Sequence, residues 1–207
     1  MSLVVACQLP KCQYWCADRV LVRAEEGATR VFRRDHQKIH ALDGRPVVVG
    51  LSGSAYEAEH ILRLIERRLD GVEACAAFLG LVRTAVRDVN QYSRDFARQE
   101  QLATYFTGAV VGGCWDGTWF LRVITPDGNE LAMQRFAAIG AEASRIGESL
   151  GKTLDEPAPK SEIAARIDAC ACAVLGANAG SLDRLLVDAD GVRALPLADC
   201  FQAPASP

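Results

Sequence analysis

No apolar run in this chain of 207 residues approaches the ~20 that a membrane-spanning helix needs. The apolar stretch near the start is short, Leu3-Val4-Val5-Ala6, with no basic region ahead of it. It reads as a strand and not as a signal peptide. Basic excess is also lacking: 23 Lys and Arg face 26 Asp and Glu, a formal net charge of −3. That removes the global electrostatic footprint of a nucleic-acid binder. The local run Arg30, Arg33, Arg34 and Lys38 reads as a solvated hairpin edge. No two cysteines have the CxxC spacing of a structural zinc site. His36, His40 and His60 are not at metal-ligand spacing on one helix or strand. No metal and no cofactor are expected. A P-loop is absent too, so the chain supplies no ATPase of its own.

Half the residues are hydrophobic, enough for one compact domain with a full core. That domain is expected over residues 1–199, with a disordered tail over 200–207. The eight cysteines (Cys7, Cys12, Cys16, Cys75, Cys114, Cys170, Cys172, Cys200) are scattered. A chain with this much core does not need disulfide staples. They are read as reduced, buried side chains of a cytoplasmic protein.

Strands are expected at 3–9 and 12–22, joined at Pro10-Lys11. Residues 23–37 read as a loop or a ragged strand pair. Lys38-Ile39-His40-Ala41-Leu42 alternates, Asp43-Gly44 turns it, and 46–51 returns as a buried strand. Ser54-Ala55-Tyr56-Glu57 is a capping box for a helix whose stripe is Ala58, Ile61, Leu62, Ile65 and Leu69. A longer helix places Ala74, Ala77, Phe78, Leu81, Val82, Ala85, Val89, Tyr92 and Phe96 on one stripe. The period then returns to two over 105–114, 118–125 and 130–139, with Asp-Gly turns between. Helices near 142–151 and 161–176 and strands at 182–188 and 192–195 complete the chain. Strands in blocks and helices in blocks argue against βαβ units. The fold class is α+β: two antiparallel sheets with helices on both outer faces, a four-layer αββα sandwich.

Chemistry gathers at the start of this plan. If Met1 is removed, Ser2 carries a hydroxyl and a free α-amine at the head of a strand. A hydroxyl is a weak nucleophile until a base takes its proton. An N-terminal amine, with a pKa of about 7.7–8.0, can be that base near neutral pH. Asp18 and Lys38 are candidate helpers: the lysine ammonium favours the alkoxide and a neutral amine, and the aspartate holds the lysine charged. Taken singly, Ser2 permits Met removal, Asp18 ends a strand and Lys38 is a hairpin lysine.

Together the spacing resembles that of the proteasome β-subunit family of N-terminal-nucleophile hydrolases, above all bacterial HslV-type peptidases and the proteobacterial proteasome homologues. Four matches carry the resemblance, over roughly residues 2–190. They are Ser2 on its apolar strand, Cys16-Ala17-Asp18, and Lys38-Ile39 followed by a hairpin and Val49-Gly50-Leu51-Ser52-Gly53-Ser54. The last is Gly108-Ala109-Val110-Val111-Gly112-Gly113 running through Trp115-Asp116-Gly117 and Thr125-Pro126-Asp127-Gly128 to Ala138-Ile139-Gly140. The resemblance implies amide hydrolysis through an acyl-enzyme on Ser2, with Asp18 and Lys38 beside it. The Gly53 N–H, in a turn ending at a helix N-terminus, would serve the oxyanion. It also implies stacked homo-oligomeric rings, a polypeptide substrate and an ATP-dependent unfoldase partner. Departures are visible. The family's threonine is Ser2; Ala141 stands where a serine is expected, with Ser144 a turn later. Cys172 stands where an aspartate is expected, with Asp168 one turn upstream. These motivate a second reading, a ring protein that binds without cutting. A third, a small-molecule amidase, lacks the insertions that would build a private pocket.

Overall fold

The computed structural model describes residues 2–25, 28–33, 35–100, 106–156, 158–176 and 180–200. Two five-stranded antiparallel sheets lie face to face. The first has strand order β10-β1-β2-β11-β12, built from Leu3–Leu9 (β1), Cys12–Asp18 (β2), Phe136–Gly140 (β10), Ser181–Asp188 (β11) and Gly191–Asp199 (β12). The second has order β5-β6-β7-β8-β9, built from Ile39–Ala41, Val47–Ser52, Gly108–Trp115, Thr118–Ile124 and Glu130–Ala132. Leu21–Glu25 (β3) and Ala28–Arg33 (β4) pair as a separate ribbon, the strand-pair alternative for this charged segment. The helices are α1 (Ala55–Arg68), α2 (Cys75–Glu100), α3 (Ala143–Asp155) and α4 (Lys160–Leu175).

Three apolar layers follow from side-chain alternation on the strands. Val4, Ala6, Trp15 and Ala17 of the first sheet meet Ile39, Val48, Val110 and Leu121 of the second. On the opposite faces, Leu3, Val5, Tyr14 and Leu182 pack with Ile146, Leu150 and Ile167 of α3 and α4. Val47, Val49, Val111 and Phe120 pack with Ile61, Ile65, Phe78, Val82 and Val86 of α1 and α2. The order of layers is αββα, as the sequence pattern predicts. Among the described residues, no helix is long and apolar enough to cross a membrane.

The structure corrects four local expectations. The strand expected over 12–22 breaks after Asp18, because the Asp18 carboxylate accepts the Val20 N–H at 3.2 Å and turns the chain out of the sheet. The strand expected over 130–139 is two strands in different sheets: the Met133 N–H still bonds the Leu121 carbonyl (3.0 Å), but the Arg135 carbonyl already accepts from Gln8 N–H (2.7 Å). Three residues, Met133 to Arg135, carry the chain from one sheet to the other. On α2, Tyr92 and Phe96 are 69% and 49% exposed, not part of the buried stripe. The stripe runs instead through Val89, Asn90 and Ala97. The final strand is longer than 192–195, spanning Gly191–Asp199. The expected tail lies outside the described residues, apart from Cys200.

Candidate active site

The first strand begins at a confluence of elements. The Ser2 carbonyl accepts the Ala141 N–H at 3.0 Å, and Leu3 pairs with Gly140 at the end of β10. Gly140 has φ 114°, and a Cβ there would lie 1.8 Å from the Ser2 carbonyl oxygen and 3.0 Å from the Ser52 hydroxyl. Only glycine lets β10 approach this closely. Ser52, at the end of β6, also lies against Gly140.

Asp18 closes β2 and is 1% exposed. Its Oδ1 accepts the Leu3 N–H at 2.5 Å, so the carboxylate holds the peptide directly after Ser2. Its Oδ2 accepts the Lys38 ammonium at 2.6 Å. The ammonium also donates to the Val20 carbonyl at 2.8 Å. Lys38 is 5% exposed, so it is a buried cation and not a surface hairpin lysine. Its backbone is fixed by the Leu51 N–H to Lys38 carbonyl bond (2.8 Å). Burial pulls the Lys38 pKa below the usual lysine value, and the neighbouring Asp18 and Asp183 charges limit the fall. The Ser2 hydroxyl is buried and has no hydrogen-bond partner among the described residues.

Gly53 follows Ser52 with φ 142°, and a Cβ on it would meet the Phe106 carbonyl at 2.3 Å and the Thr107 Cα at 2.6 Å. The turn is backed by Thr107, whose Oγ1 accepts the Ser54 N–H at 3.1 Å. Thr107 is clamped in turn by Asn90: its N–H donates to the Asn90 Oδ1 and its carbonyl accepts the Asn90 Nδ2, both at 2.8 Å. Ser54 caps α1 by accepting the Glu57 N–H (3.5 Å). Only half of the capping box read from the sequence forms: Ser54 accepts from the Glu57 N–H, but its own N–H is taken by Thr107 and not by the Glu57 carboxylate.

Asp18 and Lys38 thus meet at the peptide directly after Ser2, while Gly53 stands in the turn after β6, packed against Phe106 and Thr107. Of the three supporting candidates, Asp168 and Cys172 are engaged with other partners. Ser144 is exposed on the first turn of α3 and makes no hydrogen bond to Ser2, Asp18 or Lys38. Asp168 faces the outer surface of the first sheet, accepting from the Tyr14 hydroxyl (2.5 Å) and the Arg184 guanidinium (2.9 Å). Burial raises its pKa, and both donors oppose the rise. Cys172, on the same helix, is disulfide-bonded to Cys200. This corrects the expectation that all eight cysteines are reduced. The partners are 28 residues apart, and only the return of β12 beside α4 brings them together, which no spacing rule reveals. Cys7, Cys12, Cys16, Cys75, Cys114 and Cys170 are free thiols. Among the described residues, no group of three or more His, Cys, Asp or Glu side chains is placed to hold a metal ion.

Sequence reasoning missed Thr107, Asn90 and Asp183. Two of them left a signal: Asn90 is a polar residue on an otherwise apolar helix stripe, and Asp183 is an acid at an inward position of an alternating strand.

Two antiparallel sheets between helix pairs, with the first strand opening beside a buried Lys–Asp pair, define the class as an N-terminal-nucleophile-type αββα sandwich. The proteasome subunit family profile matches residues 14–170, more than half of the chain. The chain belongs to the proteasome subunit family. The matched span begins after Ser2 and includes Asp18, Lys38 and Gly53. No curated protein is similar enough in sequence to match the chain.

Proposed function

We propose that this chain is a subunit of a self-compartmentalising, HslV-like peptidase that cleaves amide bonds with Ser2 as nucleophile after removal of Met1. One observation carries the reading. The buried Lys38–Asp18 pair is hydrogen-bonded to the peptide N–H next to Ser2, whose own hydroxyl is buried with no partner among the described residues. The freed α-amine takes the hydroxyl proton, directly or through a water, as Oγ attacks the scissile carbonyl. The Lys38 ammonium disfavours a second positive charge on the amine and stabilises the alkoxide. Asp18 keeps that ammonium charged and in place. The Gly53 N–H donates to the oxyanion; such a donor typically contributes about 100-fold or more in rate. The amine then returns its proton to the leaving nitrogen, and water hydrolyses the Ser2 ester.

Membership of the proteasome family supports self-association into stacked rings. The chain would act as one domain over residues 1–199, in the cytoplasm, on polypeptides delivered by a separate ATP-dependent unfoldase.

A second reading, a ring subunit that binds without cutting, is favoured by the engagement of Asp168 with Tyr14 and Arg184 and of Cys172 with Cys200. Neither residue serves the terminal amine there. Labelling separates the two. Intact mass should show loss of Met1. A peptide epoxyketone, which consumes both the hydroxyl and the amine, should add one equivalent at Ser2. Ser2→Ala should abolish labelling and hydrolysis while the assembled mass is unchanged. A free Ser2 amine that resists the epoxyketone would establish the second reading.

A further inference from the structure

One charged pair at the edge of the Ser2 site has no part in the mechanism above. Along β11, Asp183 shares a face with Leu185 and Val187, because strand side chains alternate, and those two belong to the layer between the sheets. Asp183 pairs with Ala17, and Ala17 with Val4. The three form a row across the sheet, and Ser2 stands two residues before Val4 on the same face. The β11–β12 ladder shifts register between Leu182 and Arg184, so the strand is irregular at Asp183. The Arg19 Nε lies 3.5 Å from the Asp183 Oδ1. The other carboxylate oxygen, Oδ2, is buried without a hydrogen-bond partner among the described residues, as is the Arg19 Nε.

We propose that Asp183 is a second carboxylate of the Ser2 site: a positioning residue that acts through Lys38, sharing with Asp18 the task of holding the ammonium beside the nucleophile, and itself anchored by Arg19. The inference rests on the reading of Ser2 as nucleophile. Lys38 touches Asp18, from β2, and the charge of Asp183, from β11 and paired beside Ala17, also favours its ammonium from beyond ion-pair distance. Those facing Asp183 are Arg19, Lys38 and His36, with Asp18 opposing. His40, on β5, is pulled down to about 4 by burial and by His36, so it adds no charge near neutral pH. A buried ammonium pays a desolvation cost that a single partner rarely offsets. A second carboxylate within the same cluster lowers that cost without competing for the Asp18 hydrogen bond.

The chain has four lysines, Lys11, Lys38, Lys152 and Lys160, so Lys38 can be followed by NMR with lysine labelled at Cε and assigned by its loss in Lys38→Arg. In Asp183→Asn the Lys38 titration should move to lower pH by about one unit, a tenfold weaker hold on the proton. The alkaline limb of peptide hydrolysis should move with it, and Asp183→Glu should restore both. If Asp183→Asn does not fold, the smaller neutral Asp183→Ser reads the same shift. An unmoved Lys38 titration in a folded neutral variant overturns the proposal whatever the activity. A shifted titration in a protein that cleaves nothing upholds the coupling and rejects the nucleophile reading.

Discussion

Lys38 concentrates the physics of the site in one side chain. Its ammonium is out of water, held by Asp18 and the Val20 carbonyl, and its pKa is lowered mainly by burial. Folded protein therefore binds this proton less tightly than unfolded chain, whose lysine titrates near its usual ~10.4. Between the lowered value and that reference the unfolded state holds more protons, so this group's contribution to stability rises with pH across the window. Hydrolysis should do the opposite. It needs the ammonium, so the rate should fall as pH rises through the lowered Lys38 value, before an ordinary lysine would titrate. A pH–rate profile checks this, and Lys38→Arg, which does not titrate there, should remove that alkaline limb from whatever activity remains. Lys38→Met should cost about 3–5 kcal/mol in denaturant unfolding, because it strands the buried Asp18 charge. The sequence placed Lys38 at the right spacing but left open whether it was an exposed hairpin residue. Burial is a property of what packs over a residue, and the Asp18 and Val20 groups that hold Lys38 lie 20 and 18 residues away along the chain.

At the scale of elements, the turn that presents Gly53 depends on α2. Asn90, midway along α2, bonds both the N–H and the carbonyl of Thr107, and Thr107 holds the Ser54 N–H. Asn90→Ala leaves two buried backbone groups without partners, at about 1–3 kcal/mol each. Thermal unfolding should register that loss, and kcat should drop along with it as the Gly53 N–H loses its fixed direction. An Asn90→Ala protein of reduced stability but unchanged kcat would separate α2 from the site. Helix starts, the Asp-Gly turns and the buried stripe of α1 were legible because they are local. The split of 130–139 into strands of opposite sheets was not. Both halves alternate with the same period, and only their partners, β8 and β1, tell them apart.

For the whole molecule, the Cys172–Cys200 bond ties the end of the last strand to α4 across 28 residues. A loop of that length is stabilised by about 3–4 kcal/mol on chain-entropy grounds. Cys200→Ser should lower unfolding stability by a comparable amount under non-reducing conditions and by little in reductant. Counting thiols in the denatured, unreduced protein should give the six free cysteines. The sequence alone determined the layering, because alternation in two strand blocks and 3.6-residue stripes in two helix pairs allow few other ways to cover every apolar face. It also determined the order of Ser2, Asp18, Lys38 and Gly53 along the chain. Tertiary structure decided which charges meet. Asp183 comes beside Ala17, next to Asp18, only because β11 pairs with β2, while Asp168, one helical turn from Cys172, is drawn to Tyr14 and Arg184 on the outer face. Local patterns set which way a side chain faces, and the pairing of distant strands sets what it faces.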